Sequence, residues 1–280
     1  MKIQLRPKRQ FLNRTMLTLS VLITLITLIF LVWILASTIR HGIGALAWNV
    51  FSKNTPAPGS NGGLANAIAG SVLMVAIGII IGGPVGILAG TFLAEFGSTK
   101  KITEIIRFLN DVLLSAPSII TGLFVYGLIV VTMKQFSGIA GAAALAVIAL
   151  PIVVRTTDEM LRLVPSSLRE AAFALGAPKW KVVTAISYRA AAPGLLTGLL
   201  LAVARISGET APLLFTALNN QFGNFNIFKP MASLPVVIFQ FAMSPYEGWK
   251  NLAWAGAFIA VAAVLGFNLL SRWILARNRH

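Results

Sequence analysis

The stretch at residues 15–39 reads TMLTLSVLITLITLIFLVWILASTI, and it lies between Arg14 and Arg40. Its 25 residues carry no charge, and about 20 apolar residues are enough to cross the hydrocarbon core of a bilayer. The whole chain has the same character, because 57% of its 280 residues are hydrophobic and only 11% are charged. A soluble domain carries about a quarter charged residues. The sequence therefore predicts an integral membrane protein.

Five further uncharged runs follow along the chain. They lie at residues 64–94, between Asp111 and Lys134, between Lys134 and Arg155, after Arg189, and between Lys250 and Arg272. The sequence thus predicts six transmembrane helices. An alternative for residues 1–36 is a secretory signal peptide, but such a peptide has an apolar region of about 7–15 residues. The longer apolar run favours an uncleaved first helix.

The basic residues are divided unequally between the two sides of this arrangement. With the N-terminus in the cytoplasm, 17 of the 23 Lys and Arg residues fall in cytoplasmic segments, 5 fall outside, and Arg205 lies within a span. This is the positive-inside pattern, so the net charge of +15 predicts two cytoplasmic termini and not a nucleic-acid partner. Zero Cys and two His argue against a disulfide scaffold and a His-rich metal centre.

Two apolar segments have a distinctive pattern. The second span has a glycine every fourth residue, which predicts a helix face that another helix can approach closely. These glycines are Gly78, Gly82, Gly86 and Gly90. Residues 231–243 are apolar but too short to span comfortably, and Pro235 interrupts them. We expect an interfacial or re-entrant helix there.

The cytoplasmic loop at residues 155–190 predicts two short helices joined by a tight elbow. Ser167 and Glu170 have the spacing of a capping box, which places the start of the first helix there. Gly176 suits the C-terminal stop of that helix, and Pro178 suits the first position of the next. The first residues of the loop have the spacing of local ion pairs, namely Arg155, Asp158 and Glu159.

Within the fifth span, Arg205 and Glu209 lie four residues apart, which predicts a pair on one helix face. Ionised side chains at membrane depth are costly, each about 2.5–3.5 kcal/mol on insertion scales, and usually mark a pathway. An arginine offers a planar fork of donors that fits phosphate or carboxylate oxygens. Glu209 would hold the guanidinium and keep an anion from binding too tightly. The hydroxyls of Ser118, Ser207 and Thr210 are candidates for lining the same path.

The loop also contains Glu170-Ala171-Ala172, with Gly176 six residues and Ile186 sixteen residues after Glu170. This spacing resembles the coupling motif of ABC-importer permeases, in which a short helix docks into a groove on the ATPase subunit. Members of that group usually continue with Leu and Pro, where this chain has Tyr188 and Arg189.

A second resemblance is more specific. Residues 204–216, ARISGETAPLLFT, are similar to the fifth-helix motif of phosphate ABC-transporter permeases. Residues 84–87, 117–124 and 155–159 agree with the A-type membrane subunit of that family, and the likeness covers about residues 60–275. It implies a six-helix, MetI-like permease bundle over residues 15–280, with its core at about 64–275 and a cytoplasmic tail at 1–14.

The resemblance also implies a bacterial inner-membrane phosphate importer. The chain would pair with a second, related permease over two ATPase subunits, and a periplasmic phosphate-binding protein would deliver the substrate. Arg205 and Glu209 match charged positions implicated in the phosphate path, and Glu170, Ala171, Ala172 and Gly176 match the coupling motif. ATP and Mg²⁺ would be held by the ATPase partner, because this chain has no phosphate loop. It would therefore bind no cofactor and would not itself be an enzyme.

Three alternatives remain open from the sequence. The cargo could be another oxyanion, such as sulfate or molybdate. The chain could be an ion-coupled secondary carrier that uses Glu209 as a proton site, which predicts uptake sensitive to an uncoupler even with ATP maintained. It could also be a membrane scaffold without transport activity.

Overall fold

The computed structural model describes residues 7–97 and 101–277, which form helices joined by loops and short π-helical segments. The helices are α1 (Pro7–Ala45), α2 (Trp48–Ser52), α3 (Ala65–Thr91), α4 (Lys101–Ser115), α5 (Ser118–Val125), α6 (Val131–Met133), α7 (Gly138–Arg162), α8 (Ser166–Ala174), α9 (Lys179–Lys181), α10 (Tyr188–Ser207), α11 (Ala211–Thr216), α12 (Leu234–Ala242) and α13 (Glu247–Arg277). The π-helical segments are Phe92–Phe96, Tyr126–Val130 and Val182–Ser187. The first six residues of the predicted tail, together with Lys100 and Arg279 of the charge count, lie outside the described residues.

Five helical stretches in the described part of the chain are long and apolar enough to cross a membrane. They are α1, α3 with its π-helical end, α7, α9 to α10, and α13. The sixth predicted span is not one straight helix, because α4 and the stretch Ser118–Met133 are bent by 104°. Pro117 explains the break, since proline lacks an N–H and disfavours a helical residue before it. Asp111 consequently lies in α4 and not at the start of the span.

The glycine face of α3 packs against α7, so the predicted close-approach surface is confirmed, with its partner in the same chain. A Cβ atom built at Gly86 would lie 2.7 Å from the Cβ of Val153, and one at Gly90 would lie 2.6 Å from the Cβ of Thr157. Side chains larger than hydrogen would therefore push the two helices apart. Met74, Leu145 and Val153 belong to the buried core that these helices share with α10 and α11.

Gly86→Val is expected to destabilise the protein by about 1–3 kcal/mol, the usual cost of overpacking a tight core. Gly127→Val is the matched control, because a Cβ at Gly127 has nothing within 4 Å. Thermal unfolding in detergent measures the difference. Equal midpoints for the two variants would show that α3 and α7 are not packed as tightly as the structure has them.

The two ends of the bundle are built differently. At one end, here called the α8 end, lie α8, α9, the π-helical segment Phe92–Phe96 and the first turns of α4. At the opposite end α12 packs between α3 and α13, with Val236, Val237 and Phe241 buried. Pro235 stands in the first turn of α12 and does not interrupt it, because the first turn needs no N–H donor there. The expected interruption at Pro235 is therefore wrong, while the interfacial or re-entrant position of this short helix stays a prediction.

Helix α1 contacts the rest of the chain mainly through its last turns. Gly42 lies against Phe258 of α13, and the ring of His41 stacks on Trp254 with centroids 4.8 Å apart. Most of the apolar surface of α1 is exposed. In a membrane that surface would face lipid or another transmembrane chain.

Candidate functional site

The helix that contains Arg205 ends two residues later. Helix α10 stops at Ser207, Gly208 has φ −96° and ψ 0°, and α11 begins at Ala211. Glu209 therefore lies in the break between two helices, which corrects the expectation of one continuous helix. A proline at Pro212 and a glycine at Gly208 explain why the helix does not continue.

The predicted pair nevertheless forms across the break, as an ion pair between the Arg205 guanidinium and the Glu209 carboxylate. The two side chains differ in exposure, since 54% of the Arg205 side chain is accessible and only 5% of that of Glu209. The carboxylate is thus buried, while about half of the arginine side chain is exposed. This geometry suits a cation that is held in place and can still meet an anion.

Arg205 borders a cavity of about 50 Å³ that also touches Ser118, Thr121, Ile148 and Pro151. Among the described residues that line the cavity, Arg205 is the one charged residue. The α7 residues of the lining lie near the middle of that 25-residue helix, which is about 38 Å long at 1.5 Å per residue. Arg205 therefore lies at mid-depth of the bundle.

The predicted hydroxyl groups lie in different surroundings in the structure. Ser118 and Thr121 line the cavity with Arg205, as expected for Ser118. The Ser207 hydroxyl donates to the carbonyl of Val203 at 2.7 Å, which is an ordinary bond within a helix. Thr210 precedes α11 and does not line the cavity. Of the three candidate hydroxyls, Ser118 alone lies beside Arg205 at the cavity.

A second cavity, of about 140 Å³, lies nearer the α8 end along the same faces of α4 and α7. It is bordered by five charged residues, namely Arg107, Asp111, Arg155, Asp158 and Glu159. These residues pair with one another. Arg155 bonds Glu159 at 2.9 Å, as its spacing predicted, and approaches Asp111 to 3.7 Å. Asp158 instead pairs with Arg107 at 2.9 Å and with Arg162 at 2.8 Å.

The charges at the two cavities lead to different chemistry. The second cavity has two cations and three anions at its border, so its net charge does not favour an anion. The lining of the cavity at Arg205 has one cation, which is paired with Glu209 outside the lining, and otherwise apolar or hydroxyl side chains. A guanidinium offers a planar fork of donors that matches the oxygens of an oxyanion.

The loop predicted to couple to a partner forms the expected helix, elbow and helix. Helix α8 begins at Ser166 after Pro165, and no side chain caps it, so the capping box of Ser167 and Glu170 is wrong. Pro165 at φ −56° already sets the turn into the helix. The next helix begins one residue later than predicted, at Lys179, and Pro178 lies just before it.

The C-terminal stop is confirmed in detail. Gly176 has φ +78°, its N–H donates to the carbonyl of Phe173, and the N–H of Ala177 donates to the carbonyl of Ala172. This is a Schellman motif, which requires a left-handed residue that glycine adopts without strain. The elbow is therefore a rigid turn.

Helix α8 presents an open surface. Glu170 and Ala171 are exposed, Ala172 is half-buried, and Leu175 is 89% exposed. Leu168 and Phe173 add exposed apolar area. Glu170 forms no ion pair within the described part of the chain. The surface thus combines apolar side chains, small alanines and a free carboxylate, which is suited to contact with another protein.

Two contacts of this region were not predicted from the sequence. Arg169 of α8 pairs with Glu95, at 2.8 Å, in the π-helical segment that ends the second span. Tyr188 shares a hydrogen bond of 2.8 Å with Thr91. The signals were present, because Glu95 is an isolated acid at the end of a long apolar run and Tyr188 departs from the usual Leu of the motif.

Comparison with known proteins agrees with this architecture. A family model described as "Binding-protein-dependent transport system inner membrane component" matches residues 82–280. The protein named phosphate transport system permease protein PstA from Pasteurella multocida is 56% identical over 264 residues, which cover 94% of each chain. The chain belongs to the PstA family. It is thus a multi-pass membrane component of the ABC-transporter class, as the motif resemblance predicted.

Solved structures show that the fold of this PstA-family chain is that of ABC-importer permeases. A chain of a bacterial alginate ABC transporter, in complex with an alginate-bound periplasmic protein, has a TM-score of 0.65 at 15% identity, covering 95% of this chain and 96% of the other. A chain of the inward-facing MetNI methionine ABC transporter has a TM-score of 0.59 at 20% identity, covering 76% of this chain and 92% of the other. The predicted MetI-like bundle is confirmed.

Proposed function

We propose that this chain is the transmembrane permease subunit of an ATP-driven phosphate importer. It forms half of the translocation pathway and couples that pathway to a separate ATPase subunit. The observation that carries the proposal is Arg205, the one charged residue among the described residues that line the mid-depth cavity, paired with a buried Glu209 in a bundle of the PstA family. Phosphate is the proposed cargo because the relatives are named as phosphate transport permeases.

The α8 end faces the cytoplasm in this proposal, and so do both termini, in a bacterial inner membrane. The permease domain comprises residues 15–280, its core lies at about 64–275, residues 1–14 form a cytoplasmic tail, and the coupling loop is 155–190. Two ATPase subunits, which hold ATP and Mg²⁺, dock on Glu170, Ala171, Ala172 and Gly176 and on the equivalent loop of a second, related permease. A periplasmic phosphate-binding protein docks on the opposite end.

The second permease gives a reason for the exposure of Arg205. In the single chain half of its side chain is open, which is costly if that surface faces hydrocarbon. A related subunit placed across this surface would enclose the guanidinium in a shared polar pathway. Arg205 would then shield phosphate charge in transit, with Ser118 beside it, while Glu209 limits how tightly the anion binds. Ser207 and Thr210 lie away from the cavity and serve the helix break in this mechanism.

Uptake of labelled phosphate by cells that carry the whole transporter tests the proposal. Uptake should be unaffected by a hundredfold excess of sulfate or molybdate and should persist with an uncoupler while ATP is maintained. Competition by sulfate or molybdate would identify another oxyanion as the cargo. Collapse with the uncoupler would identify an ion-coupled carrier, and absence of any uptake would favour a scaffold.

A further inference from the structure

The last residues of the second span form a segment to which four different helices attach. This α3 terminal segment, residues 91–96, consists of Thr91 and the π-helical turn Phe92–Phe96. π-Helical turns are rare, and they frequently occur at functional positions in helices. This π-helical turn ends α3, the helix that packs most closely on α7.

One attachment comes from α8 and one from α9. The guanidinium of Arg169 donates to Oε1 of Glu95 at 2.8 Å, and it also donates to the carbonyls of Leu161 and Val164 at 2.6 Å each. One side chain thus joins α8, the end of α7 and the α3 terminal segment. The ammonium group of Lys179 lies 4.4 Å from the ring centre of Phe96, within the range of a cation–π contact.

Further attachments come from α10 and α4. The hydroxyl of Tyr188 bonds that of Thr91 at 2.8 Å, and the Thr91 hydroxyl also donates to the carbonyl of Ile87. The guanidinium of Arg107 donates to the carbonyl of Leu93 at 2.9 Å. Both sides of the elbow, at Arg169 before it and Tyr188 after it, therefore hold the same short segment.

The central ion pair is shielded from water. The side chain of Glu95 is 7% exposed and that of Arg169 is 20% exposed. Exposed ion pairs contribute little, whereas removing one partner of a buried pair leaves an uncompensated charge. Movement of α8 without the α3 terminal segment would break this pair and leave the buried carboxylate of Glu95 unpaired, so the two move together at lower cost.

The segment is continuous with the glycine face of α3. Gly90 and Gly86 lie directly against Thr157 and Val153 of α7. Surfaces this tightly packed transmit displacement because they cannot compress. A shift of α8 would therefore reach the middle of α7, where Pro151 and Ile152 border the cavity of Arg205.

We infer that Arg169, Glu95 and Tyr188 are positioning residues that transmit the movement of the coupling loop to α3, and through it to the pathway. The α3 terminal segment is the receiving element. This inference rests on the proposed function, in that it presumes α8 moves when the ATPase partner binds nucleotide. It assigns to Tyr188 a role that the usual Leu of the motif cannot perform, since Leu has no hydroxyl.

The first experiment compares transport with hydrolysis in the purified complex reconstituted in liposomes with inorganic phosphate. Arg169→Gln, Glu95→Gln and Tyr188→Phe should each lower the phosphate transported per ATP hydrolysed by about twofold to tenfold, the range that corresponds to losing one hydrogen bond. Basal hydrolysis and co-purification of the ATPase should persist. The double variant Arg169→Gln with Glu95→Gln should fall no further than either single one, because the two act through one contact.

Arg189→Gln is the matched control, since Arg189 is an exposed cation of the same loop and forms no ion pair among the described residues. The phosphate transported per ATP hydrolysed by this variant should equal that of the parent complex. A merely structural role would lower the amount of complex and both rates together, leaving the ratio unchanged. An unchanged ratio in all three variants would overturn the inference while leaving a phosphate-transporting parent, and with it the proposed function, intact.

A second readout does not depend on the cargo. The chain has no cysteine, so Leu88→Cys, at an exposed position of α3, gives one thiol for maleimide labelling. ATP should change its labelling rate in the parent complex, and Arg169→Gln should reduce that change at least threefold, whereas Arg189→Gln should not. The same nucleotide-dependent change in every variant would overturn the inference, even if the parent transports an anion other than phosphate.

Discussion

Phosphate uptake is expected to fall by about tenfold to 150-fold when Arg205 is replaced by glutamine, the range that corresponds to losing one charge-assisted hydrogen bond of about 1.5–3 kcal/mol. Glutamine retains donors but no charge, and Arg205 is the one charged residue among the described residues around the mid-depth cavity. Arg205→Lys keeps the charge without the planar fork, so an intermediate loss is expected. Labelled uptake at low external phosphate measures both.

Folding must be separated from transport in this experiment. Removing Arg205 leaves the buried carboxylate of Glu209 without its partner, and breaking a buried pair commonly costs about 3–5 kcal/mol. The double variant Arg205→Gln with Glu209→Gln removes both charges and should restore the amount of assembled complex but not uptake. Arg40→Gln is the control, because Arg40 is an exposed residue near the C-terminal end of α1. Normal uptake by an assembled Arg205→Gln complex would reduce the pair to a structural feature.

Charge reversal at Glu170 is expected to detach the ATPase partner or uncouple it, with uptake at least tenfold lower. Glu170 is exposed on α8 with no ion pair in the described part of the chain, so it is free to meet a cation of the partner. Leu175→Asp provides a second arm, since burying a leucine side chain is worth about 1.5–3 kcal/mol and an aspartate forfeits it. Affinity for the ATPase should then fall roughly 10-fold to 150-fold.

Co-purification and binding of the ATPase measure this effect directly. Glu247→Lys is the matched charge reversal at the opposite end of the bundle, where Glu247 forms an exposed pair with Lys250. Exposed pairs of this kind contribute about 0–1 kcal/mol, so co-purification of the ATPase and affinity for it should be unchanged. Full co-purification and uptake with both Glu170→Lys and Leu175→Asp would show that α8 is not the docking surface.

The long helices were predictable because their signals are local. An uncharged run of span length identifies α1, α3, α7 and α13, and a glycine every fourth residue identifies the face of α3 that meets α7. The positive φ of Gly176 likewise follows from a helix stop that glycine alone adopts easily. The breaks between helices were harder to predict, since Gly208 and Pro117 permit an interruption but do not dictate where each helix ends.

The contacts between distant residues were not predictable from the sequence. Arg169 lies 74 residues from Glu95, and Tyr188 lies 97 residues from Thr91, so no spacing rule connects them. The capping box failed for a local reason, because Pro165 already sets the start of α8 and leaves the side chain of Ser167 without that role. Ser118 reaches the cavity of Arg205 only because α5 begins after the sharp bend at Pro117.

The central claim is that this chain is the phosphate-conducting subunit of an importer, and one measurement tests it most directly. Labelled phosphate uptake at low external concentration is measured in cells that lack this chain and every other high-affinity phosphate system, before and after the chain is restored. The account predicts that uptake returns with the native chain and, for the same amount of assembled complex, is at least tenfold lower with Arg205→Gln. Restored uptake with the Arg205→Gln chain, or no uptake with the native one, would contradict it.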